Sequence, residues 1–416
     1  MPGTTAAAME QVEMSGHILD SLLLPKVLDI VLSRGGEYTI EEMKVGQRQD
    51  DPSHVRLRIQ APNSQILESI LAEIHPHGAI PLHPRDCQTE LADIDGAFPD
   101  GFYCTTNFRT QVRLGGEWIE VEDQEMDCGI LVDPEGTSAR CVAMANVRRG
   151  DRIVIGRTGT RVFPISGETS RRPGLFEFMT SPVSSERPKA VSVREVALAM
   201  RRTHEAGEKI IAVLGPAVVH TGGSELVAHL IREGYIDVLF AGNAVATHDI
   251  EQAFYGTSLG VDLRNGLPTD EGHEHHLRTI NTIRRLGSIR AAVETGRLTS
   301  GIMYECIKKP IPFVLCGSIR DDGPLPDVIT DILVAQNEMR KHVPGTGFCL
   351  MVATTLHSIA VGNLLPATVK VACVDISPAT VTKLLDRGSM QTVGIISDAE
   401  PFLRSLVAEL NKLSGK

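Results

Sequence analysis

Aromatic residues are scarce in this 416-residue chain: phenylalanine, tyrosine and tryptophan together make up 4%, with a single Trp. That leaves little surface on which bases could stack. There is no excess of positive charge either; the formal net charge is −11 and the pI near 5.7. Both features argue against a nucleic-acid partner. No apolar run is long enough to cross a bilayer. Met1 to Glu13 lacks a basic start and a long apolar stretch, so it reads as a frayed tail and not a signal peptide. The eight cysteines (Cys87, Cys104, Cys128, Cys141, Cys306, Cys316, Cys349, Cys373) form no Cys-x-x-Cys pair. Several sit in apolar runs, which fits reduced, buried thiols in a cytoplasmic protein. Two nucleotide signatures are missing as well. There is no Walker A lysine motif, and Gly345-x-Gly347 is followed by Leu350 and precedes a strand where the dinucleotide fingerprint would follow one.

What is present has the composition of an ordinary globular protein, 42% hydrophobic and 22% charged, and a length that predicts two or three domains. After a disordered tail at 1–15, residues 16–99 read as a small α+β domain of the ferredoxin type. Leu22–Ser33 and Asn63–Ile74 have helical apolar spacing, and Val55, Leu57 and Ile59 alternate as in a strand. Residues 100–188 read as a small β domain with a hairpin turn at Gly115-Gly116, followed by a Ser-, Arg-, Gly- and Pro-rich passage from Pro164 to Pro188 that reads as a linker or a loop over a site. From 189 to 416 strands and helices alternate. Strands are expected at Lys209–Leu214, Ile236–Phe240, Ile311–Cys316, Phe348–Val352 and Val369–Val374, and helices at Val328–His342 and Pro378–Leu385 among others. The fold class is therefore α/β, a mostly parallel sheet with helices on both faces, behind two smaller domains.

Five strand ends in this last region share a composition of small, polar and charged residues: Gly215-Pro216 leading to His220-Thr221-Gly222-Gly223-Ser224, Gly242-Asn243-Ala244 leading to His248-Asp249, Gly317 to Asp322, Thr354-Thr355-Leu356-His357, and Asp375. Small residues let a ligand approach the backbone, and helix starts favour phosphate. An aspartate at a strand end suits ribose hydroxyls, which makes Asp375 the natural adenosine anchor. The residues thus point to a nucleotide-like ligand. Gly272-His273-Glu274-His275-His276 matches no zinc motif and reads as a polar surface cluster, with no metal expected. Cys316 reads as core.

Several longer runs carry a resemblance: Pro99 to Asn107, Ser184 to Pro188, Gly215 to Gly222, Ala241 to Ala244, His248 to Glu251, Gly256 to Gly260, Gly317 to Asp327, and Val381 to Leu384 with Asp386 to Ser389. From His17 onward the chain resembles the LOR/SDH conserved-region family, in particular its archaeal-type ornithine cyclodeaminases and the C-terminal portion of cyanobacterial arginine dihydrolase/ornithine cyclodeaminases. The guanidine-removing domain of the latter would lie upstream, with no room for it here. The resemblance implies a tightly held NAD on a domain like that of deoxyhypusine synthase. Its NAD contacts would be Asn243, Ala244, Asp322, Thr354, Thr355, Leu356, His357 and Asp375, Thr355 standing where many relatives are expected to have methionine. It further implies that ornithine loses hydride from Cα to NAD, closes on its own δ-amine, releases ammonia and takes the hydride back as proline. Asp321 is the first candidate for the base. Arg320 would clamp either the substrate carboxylate or the pyrophosphate, and Lys383 and His248 are further catalytic candidates. An amino-acid dehydrogenase of the saccharopine type and a non-catalytic NAD-binding regulator are the alternatives. A cytoplasmic homo-oligomer with a small amino-acid substrate is expected.

Overall fold

The structure is a computed structural model; it describes residues 8–16, 18–19, 22–46, 51–82, 85–163, 189–258, 261–262, 272–321, 323–386 and 392–415. The passage Pro164–Pro188 and Asp322 lie outside them. The chain forms two compact units, Met1–Leu175 with Asn363–Thr368 and Phe176–Gly362 with Val369–Lys416.

In the first unit, Ala8–Gly16 is a strand, which corrects the expectation of a tail up to residue 15. Val12 and Met14 alternate inward and are buried, while Glu10, Gln11 and Glu13 mask the pattern in a composition scan. The strand sits inside a four-stranded antiparallel sheet, in the order Glu37–Lys44, Ser53–Ala61, Ala8–Gly16, Ile80–Pro81. The helices Leu23–Ser33 and Ser64–Ile74 share one apolar core with it through Val27, Val31, Leu67, Ile70 and Ile74. This β-α-β-β-α-β order is the ferredoxin-like arrangement. A second sheet of seven strands follows, from Gln88–Leu91 to Thr160–Phe163. Its hairpin between Arg109–Leu114 and Glu117–Glu122 turns at Gly115 and Gly116, whose φ values of 59° and 87° need glycine.

The second unit carries a seven-stranded parallel sheet. Its strands are β1 (Lys209–Leu214), β2 (Val238–Gly242), β3 (Phe313–Cys316), β4 (Val328–Ile329), β5 (Thr346–Val352), β6 (Lys370–Asp375) and β7 (Thr392–Ile396), in the spatial order β4-β3-β2-β1-β5-β6-β7. Unbroken apolar runs such as Ile210 to Leu214 form strands buried on both faces. The helices are α1 (Lys189–Glu205), α2 (Ala217–His220), α3 (Ser224–Arg232), α4 (Asn243–Tyr255), α5 (Gly272–Leu286), α6 (Ile289–Glu294), α7 (Ile302–Lys308), α8 (Ile332–His342), α9 (Leu356–Leu364), α10 (Pro378–Asp386) and α11 (Ala399–Leu413). Strand order reverses between β1 and β5, so this is a doubly wound sheet with its ligand crevice at that switch point.

Most strand ends shift by one or two residues from expectation, and one assignment changes. Val328–Ile329 extends the sheet beside Leu315 and Cys316 and does not open a helix. The helix starts only after Asp331, whose Oδ1 accepts from the N–H groups of Leu333 and Val334. The strand β7 was not read from the sequence.

Candidate active site

The carboxyl ends of β1, β2, β3 and β5 open onto a cavity of about 700 Å³, a size suited to a cofactor and a small substrate. Its walls come from the expected strand ends: Gly215 and Pro216, Gly242 to Val245, Cys316 to Ser318 with Arg320 and Asp321, and Ala353 to His357. The backbone approach at the switch point is close. A Cβ on Gly215 would stand 1.7 Å from the carbonyl oxygen of Ala353. Ala353 itself has φ 55°, a left-handed conformation uncommon for alanine. A Cβ on Gly242 would meet the His357 ring at 3.3 Å. No side chain caps the first turn of α4, and Asn243, Ala244 and Val245 of that turn line the cavity. Such a helix start offers N–H groups and a positive end to an anion.

A cluster of histidines forms a further wall. His220, His248 and His276 all line the cavity. The His248 ring lies 4.6 Å from that of His220 and 4.7 Å from that of His276. His248 Nδ1 is 3.1 Å from Glu251 Oε2, one helical turn along α4, and Glu251 is fully buried. The Thr257 hydroxyl donates to Glu251 Oε1 at 3.0 Å and lies 2.9 Å from His275 Nδ1. Burial, then the neighbouring His248, pushes the His220 imidazole down to about 4, so it is neutral at neutral pH. Its Nδ1 is 2.6 Å from the Ser258 hydroxyl.

The cavity therefore brings together Asn243, Ala244, His248, Arg320, Asp321, Thr354, Thr355, Leu356 and His357. The Asn243 side chain has a structural task as well: Oδ1 accepts from Leu325 N at 3.0 Å. Asp321 is half-buried, with Oδ2 accepting from Ser318 N, while Arg320 is exposed. Two expected residues stand apart. Asp375 does not line the cavity; it closes its own turn, Oδ1 accepting from Ser377 N at 2.8 Å. Lys383 is exposed on α10, one turn after the helix start. One correction concerns His276. It belongs to the cavity wall and not to a surface cluster, because the face of α5 that carries it packs on α4. His275 turns elsewhere and stacks on Tyr255 with ring centroids 4.4 Å apart. His220, Glu251 and His276 were not read as one group because they lie 31 and 25 residues apart; only the His248-x-x-Glu251 spacing on one helix face hinted at it. Cys316, read from the sequence as core, is half-buried at the end of β3 and lines the cavity; burial raises its thiol to about 11.

Asp249 beside His248 has a structural task. Fully buried, it accepts from Ile302 N at 2.9 Å and Met303 N at 2.8 Å and so caps α7. Asp249→Ala strands two buried N–H groups and is expected to lower stability by about 2–4 kcal/mol in a urea titration. Burial raises the carboxyl to about 6, above the ordinary 3.8. Its contribution is then complete below the unfolded pKa and shrinks as pH rises through about 6. The stability gap between wild type and variant should accordingly widen as pH falls from 7 toward 4. A gap that narrows would contradict this.

Fold and crevice are those of a nucleotide-binding α/β protein. The chain belongs to the ArgZ-like family with an LOR/SDH region: residues 9–108 match the "LOR/SDH bifunctional enzyme conserved region", 109–193 the "Arginine dihydrolase ArgZ-like, C-terminal, first region", and 194–406 the "Arginine dihydrolase ArgZ-like, C-terminal, Rossmann fold". It is 52% identical over 97% of its length to an ornithine cyclodeaminase of Methanothermobacter thermautotrophicus, covering 98% of that protein. The bifunctional arginine dihydrolase/ornithine cyclodeaminase AgrE of Nostoc sp. is 44% identical, with 97% of this chain covering 58% of that one. The apo crystal structure of the cyanobacterial arginine dihydrolase ArgZ superposes with a TM-score of 0.84 at 40% identity, over all of this chain and 60% of ArgZ. A ternary complex of AgrE with ornithine and NAD+ matches with a TM-score of 0.54 at 42% identity, over 99% of this chain and 59% of AgrE.

Proposed function

We propose that this chain is an ornithine cyclodeaminase, converting L-ornithine to L-proline and ammonia with a tightly held, recycled NAD. The observation that carries the proposal is the 52% identity, nearly end to end, to a protein of that name. The cavity fits the cofactor. The first turn of α4, at Asn243 and Ala244, would take the pyrophosphate. Gly215 and Gly242 keep the walls clear of side chains, and Thr354 to His357 form the opposite lip. Leu356, 79% exposed, and Ile376, 68% exposed, offer apolar faces at the ends of β5 and β6. Asp375, at the end of β6, would serve the adenosine ribose, with Asp322 as the remaining expected contact.

NAD supplies a reversible hydride acceptor when bound. The protein's own work is positioning and proton handling. The Arg320 guanidinium, on an exposed loop at the cavity's edge, would dock the substrate carboxylate. Asp321 would hold one ammonium group, which fits its half-buried seat and its hydrogen bond from Ser318 N. Proton removal from an amine falls to His248, buried in the cavity wall and the residue type whose ordinary range spans neutral pH. Lys383 has no part in this reading.

The test is incubation of the purified protein with ornithine and catalytic NAD. Proline and ammonia in equal amounts, without accumulating NADH, is the expected result. Stoichiometric NADH would make the protein a dehydrogenase; retained NAD without turnover would make it a binding protein. Arg320→Ala should raise KM for ornithine about 10- to 100-fold, the loss of one charge-assisted contact, with stability and NAD content unchanged. A KM that stays put would remove Arg320 from the substrate site.

A further inference from the structure

We propose that Glu251 is a positioning residue that fixes the tautomer of His248, and that Thr257 and His275 extend the same hydrogen-bonded chain behind it. The inference rests on the proposed function, since it concerns how the base of that reaction is held. It follows from counting protons. Thr257 has one hydroxyl proton, and it goes to Glu251 Oε1 at 3.0 Å. The 2.9 Å contact between Thr257 Oγ1 and His275 Nδ1 must then be a donation from the imidazole. His275 is thereby set with its proton on Nδ1, and Tyr255 clamps its ring in place at 4.4 Å. Glu251, receiving at Oε1, is an acceptor at Oε2 too when ionised, so His248 donates from Nδ1 across 3.1 Å. A neutral imidazole with Nδ1–H carries its lone pair on Nε2, the atom left to meet a substrate ammonium in the cavity that His248 lines.

Burial makes the arrangement stiff. Glu251 is 0% exposed, Thr257 1% and His248 4%. When Nε2 takes a proton, the imidazolium sits against a carboxylate already in place, which is how a base is stabilised without reorganisation. Among the described residues, the rings of His220 from α2 and His276 from α5 also face His248. His220 is neutral at working pH and adds no opposing charge. Asp249 on the same helix points its carboxylate at the N–H groups of Ile302 and Met303 instead. A cation held by His248, Glu251 and His276 is the competing use of the same atoms, which lie within 4.8 Å of one another. The direct 3.1 Å contact between Glu251 and His248 favours a hydrogen bond.

The experiment compares Glu251→Gln, Glu251→Asp and Thr257→Val with wild type in NAD content, kcat, KM for ornithine and the pH profile of kcat/KM. Glu251→Gln should lower kcat about 10- to 100-fold with NAD content and KM kept within about twofold. Its acid limb should move down by about one unit, because a carboxylate that favoured the protonated imidazole has gone. Glu251→Asp should recover part of kcat and return the limb toward its wild-type position. Thr257→Val, nearly isosteric, keeps the carboxylate but removes a hydrogen bond that disperses its charge, so its limb should move up by a smaller amount, and it keeps the test open if Glu251→Gln does not fold. An unmoved limb in the folded variants would leave Glu251 as mere packing and overturn the proposal. Stoichiometric zinc in the wild type, lost in Glu251→Gln, would overturn it in favour of a metal site. Failure of the functional reading looks different: the wild type itself would not make proline.

Discussion

Gly215→Ala is expected to be among the most damaging single-methyl changes available in this protein, lowering stability by about 3 kcal/mol or more and emptying the cofactor site. The added carbon would fall 1.7 Å from the Ala353 carbonyl oxygen, a main-chain atom that has nowhere to go. The Gly215 N–H is bonded to Val352 O at 2.9 Å, and the Ala353 N–H to Val374 O at 2.8 Å. Relief therefore means splaying β1 from β5, the two strands that flank the switch point. Thermal unfolding together with the NAD content of the purified protein checks this. A variant as stable as wild type with a full complement of NAD would show that the close approach has no bearing on the site.

His248→Gln should cost about 10²- to 10⁴-fold in kcat, the range for removing a general base, and leave NAD content intact. Glutamine can keep a bond to Glu251, so the buried carboxylate is not abandoned and the fold should hold. Turnover within about threefold of wild type would instead return Asp321, the base favoured by the sequence, to first place. Running Asp321→Asn beside it separates the two roles: loss of KM identifies a docking carboxylate, loss of kcat a base.

Much of this was legible before any coordinates. The apolar runs Ile210–Leu214 and Phe348–Val352 announce themselves as buried strands, and the residues that end them are small or polar. Four of the five expected strand ends meet in one cavity because parallel strands must end on one side. What stayed hidden has physical reasons. A central strand from Ala8 to Gly16 carries Glu10, Gln11 and Glu13 around Val12 and Met14, so it passes for a tail until Ser53–Ala61 pairs with it. Asp375 stands at a strand end as expected, but nothing in the sequence pattern says that its Oδ1 will also close the turn at Ser377. The His248–Glu251–Thr257–His275 chain spans two helices and the short strand Thr257–Ser258, and periodicity says nothing about which faces of α4 and α5 will touch.

The central claim is that the tips of β1, β2, β3 and β5 hold the cofactor and the amino acid together. Crystals grown with NAD and ornithine test it directly. The account predicts density for pyrophosphate at the amides of Asn243 and Ala244 and for ornithine between Arg320 and His248. A filled site anywhere else, with this cavity collapsed or holding only solvent, would contradict it.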